Sequence, residues 1–126
     1  MQIDKIIKPN LNNGKYVIAD TYWYKFVAKM ELTNDGDEYL LKSCSSLLKP
    51  SKIIFLDTDP TLAFNRKSSF NYYETKGDEN NFINFQKSIR EKILEYISSF
   101  NNVLTIDSKE DISKNITKAS RFIFGT

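Results

Sequence analysis

Ile53-Ile54-Phe55-Leu56-Asp57, followed by Thr58-Asp59-Pro60, decides the fold. An apolar run rich in β-branched and aromatic residues predicts a strand over about 52–57. Asp59-Pro60 predicts a helix start immediately after it, with Asp59 at the N-cap and Pro60 at the first helical position. Two further runs repeat the arrangement: Tyr16-Val17-Ile18-Ala19-Asp20 and Val103-Leu104-Thr105-Ile106-Asp107. Runs without polar alternation suit strands buried on both faces, as in parallel sheets. Ligands of open α/β sheets bind at the carboxyl ends of the strands. Aspartates at such ends point to a site for a metal, a phosphate ester or a sugar. The competing reading is that each aspartate caps the helix after it.

Outward from these runs the chain alternates with helical patterns. Residues 1–9 read as the tail of a helix ending near Pro9, and Asn12-Asn13-Gly14 as a turn. Residues 22–32 read as a helix with Tyr22, Phe26 and Met30 on one stripe, broken by Asn34-Asp35-Gly36. A second helical stretch covers 37–49 and stops at Lys49-Pro50. The helix opened by Pro60 runs to about Lys67. Residues 68–80 carry no periodicity and read as a mobile, lid-like loop. Phe82, Phe85, Ile89, Ile93, Tyr96, Ile97 and Phe100 recur at three- and four-residue spacing and predict the longest helix. Asp107-Ser108 opens a last helix with Ile112, Ile116, Ala119, Phe122 and Ile123 inward. Strands separated by helices are most economically parallel, with helical crossovers.

The 126 residues fit one domain. A net charge of +2, with lysines interleaved among acids, gives no nucleic-acid footprint. No run reads as a signal peptide or membrane span. The single cysteine, Cys44, cannot form an internal disulfide, and a reducing cytoplasm is the expected setting. With no histidine in the chain, Ser-His and Cys-His pairs and histidine metal sites are excluded. Any metal here is a hard cation held by oxygen, such as magnesium.

The chemistry concentrates after Asp20, in Thr21-Tyr22-Trp23-Tyr24-Lys25-Phe26-Val27-Ala28-Lys29. Helical spacing puts Lys25 and Lys29 one turn apart on one face. Two ammonium groups near a strand end can hold a phosphate, and aromatics beside them can stack on a base. The plainer reading makes Trp23, Phe26 and Val27 core and leaves both lysines in solvent. The loop at 68–80, with Arg66 before it and a long helix after it, has the layout of a phosphotransferase lid.

Together these residues resemble the C-terminal portion of thymidylate kinases, a branch of the P-loop nucleoside monophosphate kinases. Residues from Ile7-Lys8-Pro9 through Asp20 are similar to that family's helix-turn-strand leading into its Asp-Arg-Tyr motif. Ile54-Phe55-Leu56-Asp57 with Asp59-Pro60 and Ala63 through Arg66 resembles its next strand and lid-arginine helix. Tyr73-Glu74, Phe85-Gln86 through Arg90, and Tyr96 resemble its post-lid helix, and Ile106-Asp107-Ser108 its final strand and adenine-side turn. The resemblance implies a three-layer α/β fold, P-loop-kinase-like, with a mostly parallel sheet, helices on both faces and the N-terminal strands missing. It implies ATP and magnesium as cofactors. Asp20 would help order magnesium, indirectly, and the acceptor phosphate, with Lys25 beside it. Tyr22, Trp23 and Lys29 would lie at the acceptor pocket. Arg66 would stack on adenine, Asp107 and Ser108 would border it, and Tyr73 and Glu74 would sit at the lid. Asp57 is expected to be structural.

The chain also departs from the pattern. Thr21 stands where the family's phosphate-gripping arginine is expected, Lys25 where a serine contacts the base, and Tyr72 where a lid arginine is expected. A P-loop needs Gly-x-x-x-x-Gly-Lys-Ser/Thr, and Gly14, Gly36, Gly77 and Gly125 do not form it. The expectation is therefore an incomplete kinase domain, inactive alone, that transfers the ATP γ-phosphate to a nucleoside monophosphate such as dTMP once completed. Its partners are a nucleotide, and either a second copy or a complementing chain, with no nucleic acid and no membrane. The alternative is a degenerate relative acting as a nucleotide- or protein-binding module. A third reading is an unrelated α/β domain of flavodoxin-like layout.

Overall fold

The computed structural model describes residues 3–33, 42–44, 46–66 and 81–125. The turn at 34–36, residues 37–41 and 45 of the next stretch, and the lid-like loop with Tyr72, Tyr73 and Glu74 lie outside them; residues 42–44 are helical.

The centre is a parallel pair of strands. β1 (Ile53–Asp57) and β2 (Val103–Asp107) run in register from Ile53 opposite Val103 to Asp57 opposite Asp107. Both form where the apolar runs predict them. The Ile53 N–H donates to the Asn102 carbonyl at 2.9 Å, and the Ser108 N–H to the Asp57 carbonyl at 3.0 Å. These two bonds set the phase of the parallel ladder: residues 53, 55 and 57 bond β2. The amides and carbonyls of Ile54 and Leu56 therefore face the other edge of β1.

The third strand, expected over 15–20, is not a strand. Residues 15–19 have no regular secondary structure and no ladder partner among the described residues, and Tyr16 and Ile18 are 72% and 78% exposed. A strand exists only through its neighbour, and the nearest strand edge, β1, lies across a cavity from this segment.

The helices are α1 (Lys8–Asn12), α2 (Tyr24–Thr33), α3 (Pro60–Arg66), α4 (Phe82–Ile97) and α5 (Ile112–Phe124). A wider π-helical turn, Ile3–Ile7, precedes α1. Pro9 does not end that first helix. It sits in the first turn of α1, where its missing N–H is not needed. The chain reverses at Asn13-Gly14, where Gly14 takes φ +76°.

The core lies between α2 and α4. Ala28, Phe85 and Ile89 are buried together, with Leu32, Ile93 and Tyr96 packed around them. Ala28, with no exposed surface, lets the two helices approach closely. The buried face of α2 is thus Tyr24, Val27 and Ala28, not the expected Tyr22-Phe26-Met30 stripe, and Phe26 is 54% exposed. The Tyr96 hydroxyl donates to the Glu31 carboxylate across this interface, and Lys92 Nζ lies 3.5 Å from the same oxygen. Phe64 of α3 meets Phe82 of α4 ring to ring at 5.8 Å.

Asp59 caps α3 as expected, accepting from the Thr61 N–H at 2.8 Å. The last helix starts later than expected. Asp107 accepts from the Lys109 N–H at 2.9 Å in a local turn, and Asp111 occupies the N-cap position of α5. Lys52 closes the far end of α5 by donating to the carbonyls of Phe122 (2.7 Å) and Ile123 (3.2 Å). The inner face expected for α5 is only partly covered: Ile112 and Ile116 remain 74% and 63% exposed.

Candidate active site at the strand ends

A cavity of about 1200 Å³ runs along the open edge of β1. Residues 16–22 line one side, residues 48–58 another, and Gln86, Ile89, Arg90, Ile93 and Ile97 of α4 form a third. Most of its wall is apolar. Its charged lining residues are Asp20, Lys25, Lys49, Lys52, Asp57 and Arg90.

The backbone beside Asp20 is strained. Thr21 and Tyr22 have φ values of +66° and +39°. Left-handed φ is unfavourable for a β-branched threonine, and such conformations persist only where surrounding contacts over-determine them. The Tyr22 N–H donates to the Asp20 carbonyl at 2.8 Å, and the Tyr22 hydroxyl donates to the Leu48 carbonyl at 2.6 Å. The Thr21 hydroxyl donates to Asp20 Oδ1 at 3.2 Å. These contacts turn the chain sharply between residues 15–19 and α2, leaving Asp20 exposed at the rim.

Asp57 and Arg90 form the strongest polar contact of the cavity. Arg90 Nε donates to Asp57 Oδ1 at 2.6 Å and its Nη2 to Oδ2 at 2.8 Å, a two-pronged pair. These hydrogen bonds hold the Asp57 carboxyl below its ordinary range, against the opposing effect of burial. The same bonds raise Arg90. Asp57 is thus engaged by the protein itself, and Arg90 ties α4 to the end of β1. Nothing in the local sequence marks Arg90, whose partner lies 33 residues away. The hint is that a strand-end aspartate beside the inner face of a long helix needs a cation.

The candidate residues divide into groups. Asp20, Tyr22 and Lys25 all line the cavity. Trp23 and Lys29 do not: Trp23 stacks on Tyr24 at 4.1 Å, and Lys29 is half-buried on α2. Arg66 is exposed in the last turn of α3 and Asp107 is exposed at the end of β2. Ser108 meets the end of β1, its Oγ accepting from Thr58 Oγ1 at 2.8 Å. The Asp107-Ser108 turn thus adjoins the end of β1 without lining the cavity. Tyr73 and Glu74 lie outside the described residues. Tyr24 is the residue the sequence reading passed over. It is 8% exposed, lines the cavity, and its hydroxyl has no hydrogen-bond partner among the described residues. Burial raises its pKa.

The sequence profile of the family described as thymidylate kinase matches residues 1–119. The chain belongs to the thymidylate kinase family. Curated relatives of the family agree along most of its length. A "Probable thymidylate kinase" of Thermococcus kodakarensis is 29% identical over 110 residues, which is 87% of this chain and 52% of the relative. One of Staphylothermus marinus is 30% identical over 108 residues, covering 86% of this chain and 52% of the relative. A "Thymidylate kinase" of Pseudoalteromonas translucida is 29% identical over 126 residues, 94% of this chain and 60% of the relative. This thymidylate kinase family member therefore spans about half the length of the curated relatives it matches. No solved structure matches it significantly.

Family membership implies magnesium, and the described residues allow only a modest protein share in holding it. No group of three or more His, Cys, Asp or Glu side chains converges among them. With Asp57 taken by Arg90, Asp20 is the carboxylate the cavity rim offers. One carboxylate fits a magnesium ion held chiefly by water and phosphate oxygens.

Proposed function

We propose that this chain forms one side of a phosphotransferase site moving the γ-phosphoryl group of ATP to a nucleoside monophosphate, dTMP by family resemblance. The observation that supports the reading is that Asp20, Tyr22 and Lys25 line the same cavity as the end of β1, which the Asp107-Ser108 turn adjoins. Phosphoryl transfer needs positioning and charge stabilisation rather than a protein nucleophile. In this reading Lys25 supplies positive charge to the acceptor phosphate, without the two-pronged grip an arginine would give. Asp20 orders the hydrated magnesium ion, and Tyr22 lines the acceptor pocket. Trp23 and Lys29 support α2 behind that pocket. Arg66, Asp107 and Ser108 border the ATP base, and Tyr73 with Glu74 belongs to the lid. Residues 1–126 hold no glycine-rich loop to cradle ATP phosphates, so in this reading a complementing polypeptide supplies it; a second copy of the chain cannot. The ligand is a nucleotide rather than nucleic acid or a lipid surface, and the setting is the reducing cytoplasm.

The 126-residue chain alone is expected to give no turnover of dTMP and ATP in a coupled assay. Calorimetry on the same chain is expected to detect dTMP binding that Lys25→Ala weakens about tenfold, the loss of one charge-assisted contact. Absence of binding by any nucleoside monophosphate sinks the reading. The alternative, a binding module without phosphoryl transfer, is favoured by Thr21 at the expected arginine position. It predicts dTMP binding that persists in a completed protein with no turnover.

A further inference from the structure

We infer that Lys49 is a second phosphate-binding cation of this site and that Tyr22 is the residue that positions it. Both roles rest on the nucleoside monophosphate reading above. The cations of the cavity wall are not equivalent. Lys25, Lys49, Lys52 and Arg90 line the cavity. Arg90 is engaged by the Asp57 carboxylate, at 2.6 and 2.8 Å. Lys52 is engaged by the Phe122 and Ile123 carbonyls and lies 5.5 Å from the Phe122 ring centroid. Lys8, whose charge bears on Tyr22, is held by Asp4 at 3.1 Å. Lys25 and Lys49 are exposed and make no hydrogen bond or ion pair with their side chains among the described residues. They are the lining cations left to meet a ligand.

The Tyr22 hydroxyl links the two lysine segments. It donates to the Leu48 carbonyl at 2.6 Å, across 26 residues of chain, so its proton is already committed to the protein. The residue after that carbonyl is Lys49, and the residue after Lys49 is Pro50. A residue before proline is biased to extended backbone. Lys49 is thus fixed from both sides, its preceding peptide by Tyr22 and its own backbone by Pro50. Tyr22 in turn sits in the left-handed turn that leads into α2, the helix carrying Lys25. Such a turn persists only where other contacts over-determine it, and the bond to Leu48 is one of them. A phosphate monoester has its second pKa at about 6 and approaches two negative charges above it. A lysine is a point charge without an arginine's fork, so Lys25 alone leaves much of a dianion unanswered. Lys49, presented from a separate segment, supplies the second charge. Holding it in place beforehand removes ordering that binding would otherwise require. The unengaged charges of the lining, Lys25 and Lys49 against Asp20, leave a surplus of positive charge that favours an anion.

Calorimetry on the 126-residue chain with dTMP, and with thymidine, which lacks the phosphate, separates these roles. Lys49→Ala is expected to weaken dTMP binding about tenfold and to leave thymidine binding unchanged, while Lys49→Arg keeps dTMP binding. The loss is expected to be larger at about pH 7.5 than at about pH 5, because the phosphate gains its second charge between them. Tyr22→Phe frees the Leu48 carbonyl and is expected to weaken dTMP binding about threefold, the ordering cost of one side chain. In that background Lys49→Ala is expected to cost less than in the parent. Lys114→Ala removes a charge from α5 that does not line the cavity, and is expected to bind dTMP as the parent does. Undiminished dTMP binding by Lys49→Ala, with Lys25→Ala still weakening it, overturns the role of Lys49 and leaves the nucleotide reading standing. An equal loss for thymidine, or a loss that does not change with pH, also overturns it. A full tenfold cost of Lys49→Ala in the Tyr22→Phe background overturns the positioning role of Tyr22. No binding of any nucleoside monophosphate sinks the reading and both roles together.

Discussion

At the scale of single residues, Asp57 and Arg90 show how a strand-end carboxylate can serve the fold instead of a ligand. The pair is two-pronged, with the carboxylate side chain 25% and the guanidinium 40% exposed. Charge-assisted bonds contribute about 1.5–3 kcal/mol, and solvent screening at the exposed guanidinium reduces this. Asp57→Asn is expected to lower stability by about 1–2 kcal/mol in urea denaturation at pH 7. The Asp57 carboxyl is held below its unfolded value. Its stabilisation is therefore full above the unfolded pKa, about 3.9, and is lost as pH falls through the lower folded value. The difference between the parent and Asp57→Asn should accordingly shrink as urea midpoints are taken from pH 6 down towards pH 3; a constant difference would dissociate the effect from ionisation. Tyr24 is the opposite case. Its buried hydroxyl has no partner among the described residues, so Tyr24→Phe removes a desolvated group without breaking a bond described there. The variant is expected to be as stable as the parent or about 1 kcal/mol more stable, and a clear loss in the same denaturation experiment would reveal a partner for the hydroxyl.

At the scale of elements, the best-read pieces are those whose signals are local. The Ile53–Asp57 and Val103–Asp107 runs, the Asp59-Pro60 start of α3 and the Phe82-Phe85-Ile89 stripe of α4 each carry their own instructions, and each forms where it was expected. What was not legible depends on neighbours. Val17 to Asp20 has a strand's composition but no strand beside it. The stripe on α2 was misread because Ala28, a weak hydrophobic signal, lies buried with Phe85 and Ile89 of α4. Arg90 and Tyr24 became site residues only when distant segments met. Ile89 tests the α2–α4 interface directly. It is 2% exposed in the core cluster, and Ile89→Ala is expected to cost about 2–4 kcal/mol through lost burial and the cavity left behind. Ile116 of α5 is 63% exposed. Ile116→Lys should therefore leave the unfolding midpoint of the isolated chain nearly unchanged, and a large loss would mean that this face is covered in solution.

At the scale of the whole molecule, the described residues look like a fold with one flank open. Tyr16, Ile18, Ile54 and Leu56 expose apolar surface around the edge of β1, and Ile112 and Ile116 do so on α5. Among the described residues no large side chain is less than 2% exposed. Stability is a small surplus of burial over chain entropy, about 5–15 kcal/mol in ordinary domains, so unburied apolar surface on this scale leaves the isolated chain marginal. An exposed strand edge beside apolar surface is also a template for self-association. The isolated chain is therefore expected to bind hydrophobic dyes and to unfold at a low temperature. A ligand that binds only the folded chain acts by mass action. At a free concentration a hundred times its dissociation constant it adds about 2.7 kcal/mol, which for a chain of this length raises the midpoint by on the order of 10 °C. Scanning calorimetry with and without dTMP measures that rise. If the midpoint stays put while a complex forms, the ligand must bind the unfolded chain as well as the folded one, and the cavity is then not what it recognises.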